Sequence, residues 1–441
     1  MEQRRKNLTQ LFIPICLETL LYMLSGMVDT LMLSSVNDQA VGAVGTANTY
    51  IGIFIIMFSV ISSGMVAVMT QNIGAGRPGV AYQARQLGLA FNAVLGIILS
   101  LILAFGAGTI LAGVGVADAL MQPARTYLQI VGGFCILNAL IPICSSYLRA
   151  FGFSKEPLYA SIIGNVINFC LNAFFLFVLH KGVAGVATAT VISRIINLVI
   201  VVLLGAVLVK AKQHPERESN RAVMGQIIRI GLPSACETAI YNVSMTLVIR
   251  FLNQMDAQGL NVTARSYTMQ ITNFSYCVGA ALAQANAIMT GWHIGAKEYD
   301  ACDRGTKKAA VIGVIVAVIL ETVFTLCSGW IMQLFSKDPQ MVSLVGKLLA
   351  IDIVLEIGRV TNLVYGQALK TSGDAVFPVV MGACFMILCS VGGTYLFGIR
   401  LGLLAVGAYI GMTGDECVRA VGMYLRWKSG KWKEKGLVKS R

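Results

Sequence analysis

Charge is scarce in this chain of 441 residues: Asp, Glu, Lys and Arg together make up 12% of it, about half of the roughly 25% usual in soluble domains. So large a deficit excludes a chain that faces water along most of its length. Histidine is nearly missing, with three residues, and none of the eleven cysteines stands in a CxxC pair. These two absences argue against a structural metal site and against a disulfide framework. Cys16, Cys135, Cys170, Cys236, Cys327 and Cys389 lie singly in apolar runs and read as small hydrophobes. Although there are 45 glycines, no GxxxxGK[ST] loop occurs, which argues against an ATP-driven pump and leaves glycine to permit close helix packing. No small-residue cleavage site follows the apolar run that begins after Arg4, Arg5 and Lys6 and reaches about Leu33, so a cleavable signal peptide is not expected there.

What the chain does have is hydrophobic length. Residues of the AVILMFWYC set form 56% of it. Runs such as 87–111, 183–209 and 309–334 are each long enough to cross a ~30 Å hydrocarbon core as a helix. These runs are continuous rather than alternating, so a β-barrel is excluded, and a lipid-exposed open sheet would leave backbone groups unsatisfied. The pattern predicts twelve spans, near 10–33, 41–70, 86–112, 127–150, 158–179, 183–209, 228–252, 262–290, 308–335, 342–369, 376–397 and 401–426.

The formal net charge is +13, but its placement speaks against a nucleic-acid partner, because Lys and Arg stand in short loops and at the chain ends rather than on one face. The N-terminal residues, the even loops (Arg77, Arg149, Lys155, Lys210, Lys212, Arg217, Lys297, Lys307, Lys370) and the tail (Lys428, Lys431, Lys433, Lys435, Lys439, Arg441) carry most of the basic residues. The odd loops hold Arg125, Lys181, Lys337 and Arg400. The positive-inside rule then places both termini in the cytoplasm, which an even number of spans allows.

The sequence also repeats itself. Residues 11–25 read LFIPICLETLLYMLS and 229–244 read RIGLPSACETAIYNVS. At a single offset of 219, Pro14, Glu18, Thr19, Tyr22 and Ser25 match Pro233, Glu237, Thr238, Tyr241 and Ser244. A second echo pairs Met69-Thr70 and Ile73-Gly74-Ala75 with Met289-Thr290 and Ile294-Gly295-Ala296. A third pairs Tyr147, Ala150 and Pro157 with Tyr365, Ala368 and Pro378. Three echoes in one order predict an all-α membrane protein of two pseudo-symmetric six-helix bundles, a 6+6 parallel repeat. The expected organisation is a first lobe at 1–209, a cytoplasmic linker at 210–227, a second lobe at 228–426 and a basic tail at 427–441. In transporters built from parallel repeats, substrate binds near the membrane midplane and rocking alternates access.

A carboxylate at the centre of a membrane helix costs ~2.5–3.5 kcal/mol on insertion scales, which makes it a functional candidate. Glu18 and Asp29 are eleven residues apart on the first span, which returns them to nearly one face, ~16 Å apart. Asn165, Asn168 and Asn172 form an i, i+3, i+7 stripe on the fifth span, and Thr188 and Thr190 open the sixth. A lone carboxylate among amide and hydroxyl oxygens can hold a proton or Na⁺; the same Asn and Thr can equally serve only to bond neighbouring helices. In the second half Glu237 lies four residues from Tyr241, and Asp352, Glu356 and Arg359 follow i, i+4, i+7. Glu356 and Arg359 suit an intrahelical ion pair, and Asp415, Glu416 and Arg419 a local ionic cluster. Glu321 has no evident partner.

Taken in order, these features resemble the multidrug and toxic compound extrusion (MATE) family. The resemblance covers nearly the whole chain and rests on the 6+6 repeat, Pro14 and Pro233, Val28-Asp29-Thr30, the run from Gly185 to Thr190, and the run from Ala368 to Asp374. It implies a V-shaped pair of bundles and antiport of organic, often cationic or amphipathic, compounds against H⁺ or Na⁺. Family members with a cation site in the first lobe use an Asp on the first span, two polar residues at i, i+4 on the fifth and a Thr on the sixth. Asp29, Asn168, Asn172 and Thr190 stand at those positions. In the norfloxacin-exporter branch the seventh span carries a Glu eight residues after the Pro, where this chain has Tyr241, and the tenth carries an Asp where Arg359 falls. A second-lobe cation site of that style is therefore not expected, and Glu237 or Glu356 is expected within ion-pair reach of Arg359.

The resulting expectation is a multi-pass protein of the cell membrane, not an enzyme, that exports small organic substrates. It would act as a monomer in the bilayer, with no cofactor beyond H⁺ or Na⁺. A lipid-linked oligosaccharide flippase of the same superfamily and a non-transporting sensor or scaffold are the alternatives. The acids at 18, 29, 237, 352 and 356 favour cationic or neutral cargo, whereas flippase cavities tend to be strongly basic.

Overall fold

The computed structural model describes residues 6–35, 38–113, 116–210, 214–256, 259–333 and 335–438. The basic residues Arg4, Arg5, Lys212, Lys439 and Arg441, on which part of the charge-bias reading rests, lie outside them. Among the described residues the chain is helical throughout, and twelve long helices follow one another. They are α1 (Leu8–Ser34), α2 (Asp38–Gly74), α3 (Pro78–Gly113), α4 (Asp118–Gly132 and Ile136–Ala150), α5 (Lys155–Val178) and α6 (Gly182–Leu208). The second series is α7 (Asn220–Met255), α8 (Leu260–Gly295), α9 (Tyr299–Leu326), α10 (Pro339–Ser372), α11 (Val376–Arg400) and α12 (Leu404–Lys428).

Several helices outrun the apolar segments that announced them. The second span was expected at 41–70, yet α2 has 37 residues, or ~55 Å at 1.5 Å per residue. Hydrophobicity marks where a helix meets lipid, but capping marks where it ends. At the start of α10, for example, the Asp338 side chain accepts from the Gln340 backbone N–H at 3.0 Å, with Pro339 in the first turn. The same helix stops at Gly373, whose φ of 99° is open to glycine at little strain. The fourth span is broken rather than straight: its two arms meet at 43°, after a π-helical turn at Leu128–Gly132.

Seven of these helices are long and apolar enough to cross a membrane, and the two arms of α4 together make an eighth. The remaining four, α7, α8, α10 and α12, carry interior polar and charged side chains: Glu237, Arg265, Asp352, Glu356, Arg359, Asp415, Glu416 and Arg419. Large apolar residues such as Phe105, Val207 and Leu326 face outward, as expected where lipid is the solvent.

The chain divides into two compact units, Met1–Gly231 and Leu232–Arg441. The first has its core among α2, α3, α4 and α6, around Phe58, Leu103, Leu128 and Val191. The segment before α7 is held on this unit. Arg77 donates to the Glu218 carboxylate at 2.6 Å, and the Gln83 side-chain amide donates to the Glu218 carbonyl and the Asn220 side chain, each at 2.6 Å. α7 has begun by Asn220, and its first turns cross α2 closely enough that a Cβ on Gly231 would lie 1.6 Å from the Val60 carbonyl oxygen. The second unit has its core among α7, α8, α10 and α12, around Leu252, Ile271, Leu349 and Tyr409.

Candidate functional site

In the first unit Asp29 stands half-buried near the end of α1. Asn172 of α5 is fully buried and donates from Nδ2 to an Asp29 carboxylate oxygen at 2.6 Å, and to the Asn168 Oδ1 at 3.2 Å. The i, i+4 spacing of the two asparagines puts both amides on one helix face, so Asp29, Asn172 and Asn168 form one hydrogen-bonded chain. The Asn172 Oδ1 is buried without a partner. Thr190 of α6 is buried too, but its hydroxyl donates to the Val186 carbonyl of its own helix at 2.9 Å and stands outside that chain. Its oxygen lone pairs are still free to accept. One turn further along α6, Arg194 acts on the Asp29 carboxylate through its charge. Sequence reading passed over Arg194; its i+4 spacing from Thr190 was the available signal.

Glu18, three turns before Asp29 on α1, is paired with Arg149 of α4 at 2.5 Å and accepts from Ser161 of α5 at 3.4 Å. In the second unit Glu237 of α7 is paired with Lys370 at 2.6 Å. Of the two carboxylates expected within reach of Arg359, Glu356 meets it and Glu237 does not. Lys370 lies eleven residues beyond Arg359 on α10, ~16 Å along the axis, so a carboxylate at the level of one cannot reach the other. The offset of 221 that pairs Pro157 with Pro378 also pairs Arg149 with Lys370, and each stands three residues before a glycine of positive φ, Gly152 or Gly373. The two ion pairs are therefore repeat counterparts, a signal present in the sequence but not used.

Arg359 instead meets two carboxylates. It contacts Glu356 one turn earlier on α10, and its Nε lies 3.7 Å from Glu416 of α12. Arg419 holds Asp415 at 2.8 Å and Glu416 at 3.0 Å. Arg359, Asp415 and Glu416 border a cavity of about 250 Å³ within the second unit, lined also by Tyr241, Arg265 and Asp352. Of the second-half candidates, Tyr241 and Arg359 face this cavity, whereas Glu237 and Glu356 do not line it.

Comparison with known proteins agrees with this architecture. A family model described as MatE matches residues 14–174 and 233–396. The uncharacterized transporter YisQ of Bacillus subtilis is 34% identical over 96% of this chain and 94% of its own length. The probable multidrug resistance protein NorM of Thermotoga maritima is 22% identical over 98% of this chain and 94% of its own. Among solved structures, a MATE protein crystallised in a straight conformation superposes with a TM-score of 0.85 over 97% of this chain and 96% of that one, at 18% identity. With two repeats matched by the family model and a relative at 34% identity along nearly its whole length, the chain belongs to the MatE family of multi-pass membrane transporters.

Proposed function

We propose that this transporter is a secondary antiporter of the cell membrane that exports small organic compounds in exchange for a cation, H⁺ or Na⁺, with Asp29 as its coupling carboxylate. The observation that carries the reading is the chain from Asp29 to Asn172 and Asn168. A half-buried carboxylate with buried amides around it meets two requirements at once. It can exchange its ion with an aqueous path, and it offers hard oxygens, from Asp29, the unpartnered Asn172 Oδ1 and the accepting side of Thr190, to Na⁺ or to a proton. The bias of basic residues puts both termini on the cytoplasmic side. Each unit of inward proton gradient then supplies ~1.4 kcal/mol, about tenfold in substrate accumulation for one proton per cycle. The mixed lining of the second-unit cavity, three acids with two arginines, suits neutral or cationic cargo better than a polyanionic lipid-linked sugar.

The test is efflux of a fluorescent organic cation from proteoliposomes under ΔpH or ΔpNa imposed separately. Asp29→Asn should lower gradient-driven transport at least tenfold under whichever gradient drives the parent, with substrate binding retained. Undiminished active transport by that variant would remove Asp29 from the mechanism.

A further inference from the structure

The second unit holds a set of acids that this coupling scheme does not use. Asp352 and Glu356 are one turn apart on the same face of α10, and Glu321 approaches them from α9. One carboxylate oxygen from each lies within 4.8 Å of the others, and all three residues are buried. Glu321 has no exposed surface, and neither of its carboxylate oxygens has a hydrogen-bond partner. Asp352 Oδ2 and Glu356 Oε2 are likewise unpartnered. A fourth, uncharged group stands with them. Ser275 of α8 is 1% exposed and its hydroxyl stands within reach of the Glu321 carboxylate. Buried polar atoms in native proteins are almost always satisfied, so three buried carboxylates that converge while each keeps an unpartnered oxygen mark the place of a group that satisfies them.

The local fold explains why these helices come so close. A Cβ on Gly313 of α9 would lie 2.6 Å from Val360 of α10 and 2.7 Å from Leu282 of α8, and one on Gly279 would lie 3.0 Å from Val360. The glycines bring the three helices together one to two turns away from the acids. The charge count points to what fills the space. Five buried carboxylates, those of Glu321, Asp352, Glu356, Asp415 and Glu416, share this interior with three guanidiniums, those of Arg265, Arg359 and Arg419. Arg359 and Arg419 are engaged with Glu356, Asp415 and Glu416, which leaves Glu321 without a cation of its own.

We propose that Glu321, Asp352 and Glu356, with the Ser275 hydroxyl, form a site for a hard cation, Na⁺ or a proton in its place, separate from Asp29. An ion among three oxygens of this spacing sits ~2.8 Å or less from each, and the four donors fall short of the octahedron Mg²⁺ demands and of the six to eight oxygens that Ca²⁺ takes. Asp352 also lines the 250 Å³ cavity, so it gives the ion a way in, and a guest in the cavity would contend with the ion for the same carboxylate.

The experiment uses the full-length protein in nanodiscs, in an Asp29→Asn background that removes the first-unit carboxylate. It measures ²²Na⁺ binding at alkaline pH and, separately, protons taken up between pH 8 and 6. Asp29→Asn should retain a cation signal in at least one arm. Adding Glu321→Gln should weaken ²²Na⁺ binding at least tenfold or remove about one proton of uptake, whichever arm carries the signal, while Ser275→Ala should weaken Na⁺ binding about threefold. If Glu321→Gln does not yield a monodisperse protein, Asp352→Asn removes a ligand from the cavity side and is scored in the same way. Loss of both signals with Asp29→Asn alone, or signals unchanged by the second substitution, would overturn the site. The first of these outcomes would leave the role of Asp29 standing, so the two readings fail separately.

Discussion

The pairing of Glu237 with Lys370 can be tested through its energetics. The two charges are 2.6 Å apart, and their side chains are 15% and 14% exposed. At an effective dielectric of about 20, the attraction is about 6 kcal/mol before desolvation. Desolvation takes back several kcal/mol per ion, so the intact pair contributes little net stability, but removing one partner leaves the other buried and alone at a cost of ~3–5 kcal/mol. Glu237→Gln keeps the shape and an accepting oxygen, which places it at the lower end, ~3 kcal/mol. At ~2–4 °C per kcal/mol for a unit of about 200 residues, the purified protein should melt roughly 6–12 °C lower. Replacing both partners, as Glu237→Leu with Lys370→Met, removes both desolvation costs and should recover most of the loss. The assay is thermal unfolding followed by monodispersity on a sizing column, with both single variants and the double completing a cycle. A Glu237→Gln protein that melts within 2 °C of its parent, or a double variant no better than the worse single, would refute the reasoning.

Two further outcomes follow from the geometry. Gly231→Ala drives a Cβ to within 1.6 Å of the Val60 carbonyl oxygen. A backbone atom cannot rotate away, so this change should destabilise by at least the ~1–3 kcal/mol typical of overpacking, visible as a lower melting temperature; an unchanged one would contradict the close crossing of α2 and α7. Asp256, in the connection before α8, accepts from the backbone N–H groups of Leu260 at 2.8 Å and Asn261 at 3.0 Å. Partial burial pushes its carboxyl up, but these hydrogen bonds and those from Gly259 and the Asn261 side chain outweigh it and hold the carboxyl below its usual range. Its contribution is thus present above the ordinary carboxylate pKa and fades as pH falls below it. Asp256→Ala should cost ~1 kcal/mol at neutral pH and progressively less in acid; a loss that grew on acidification would contradict these hydrogen bonds.

The fold was legible because lipid imposes a coarse, readable rule: a long apolar run must be a helix. The rule weakens where the interior is polar. α7, α8, α10 and α12 fall short of that rule by composition, although the apolar pattern still placed each of them as a span. The partners of Asp29 were legible because Asn168 and Asn172 share a helix face at i, i+4. The sequence left open whether Glu237 or Glu356 holds Arg359, because spacing along α10 gives the level of a charge only relative to its own helix, and the level of Glu237 against that helix depends on how α7 enters. Glu321 was seen but unplaced, since its neighbours come from α8 and α10, at separations that carry no periodic signal.

The repeat preserved one kind of polar feature and not the other. Glu18 with Arg149 and Glu237 with Lys370 recur near the αL glycines that end α4 and α10, where a buried basic side chain fixes one helix against another. Asp29 has no such echo. At the offset of 219 that matches Pro14, Glu18 and Tyr22 to their partners, its counterpart is Val248, which is fully buried in the apolar core of the second unit with Leu252 and Leu349. Conversely, the second unit gathers Glu321, Asp352 and Glu356, and at the offset of 221 Asp352 and Glu356 match Val131 and Cys135, which are buried in the apolar core of the first unit. A duplicated ion site would have kept its carboxylate at the duplicated position. With a core valine at that position, any cation chemistry in the second unit rests on different helices and has to be tested on residues of its own.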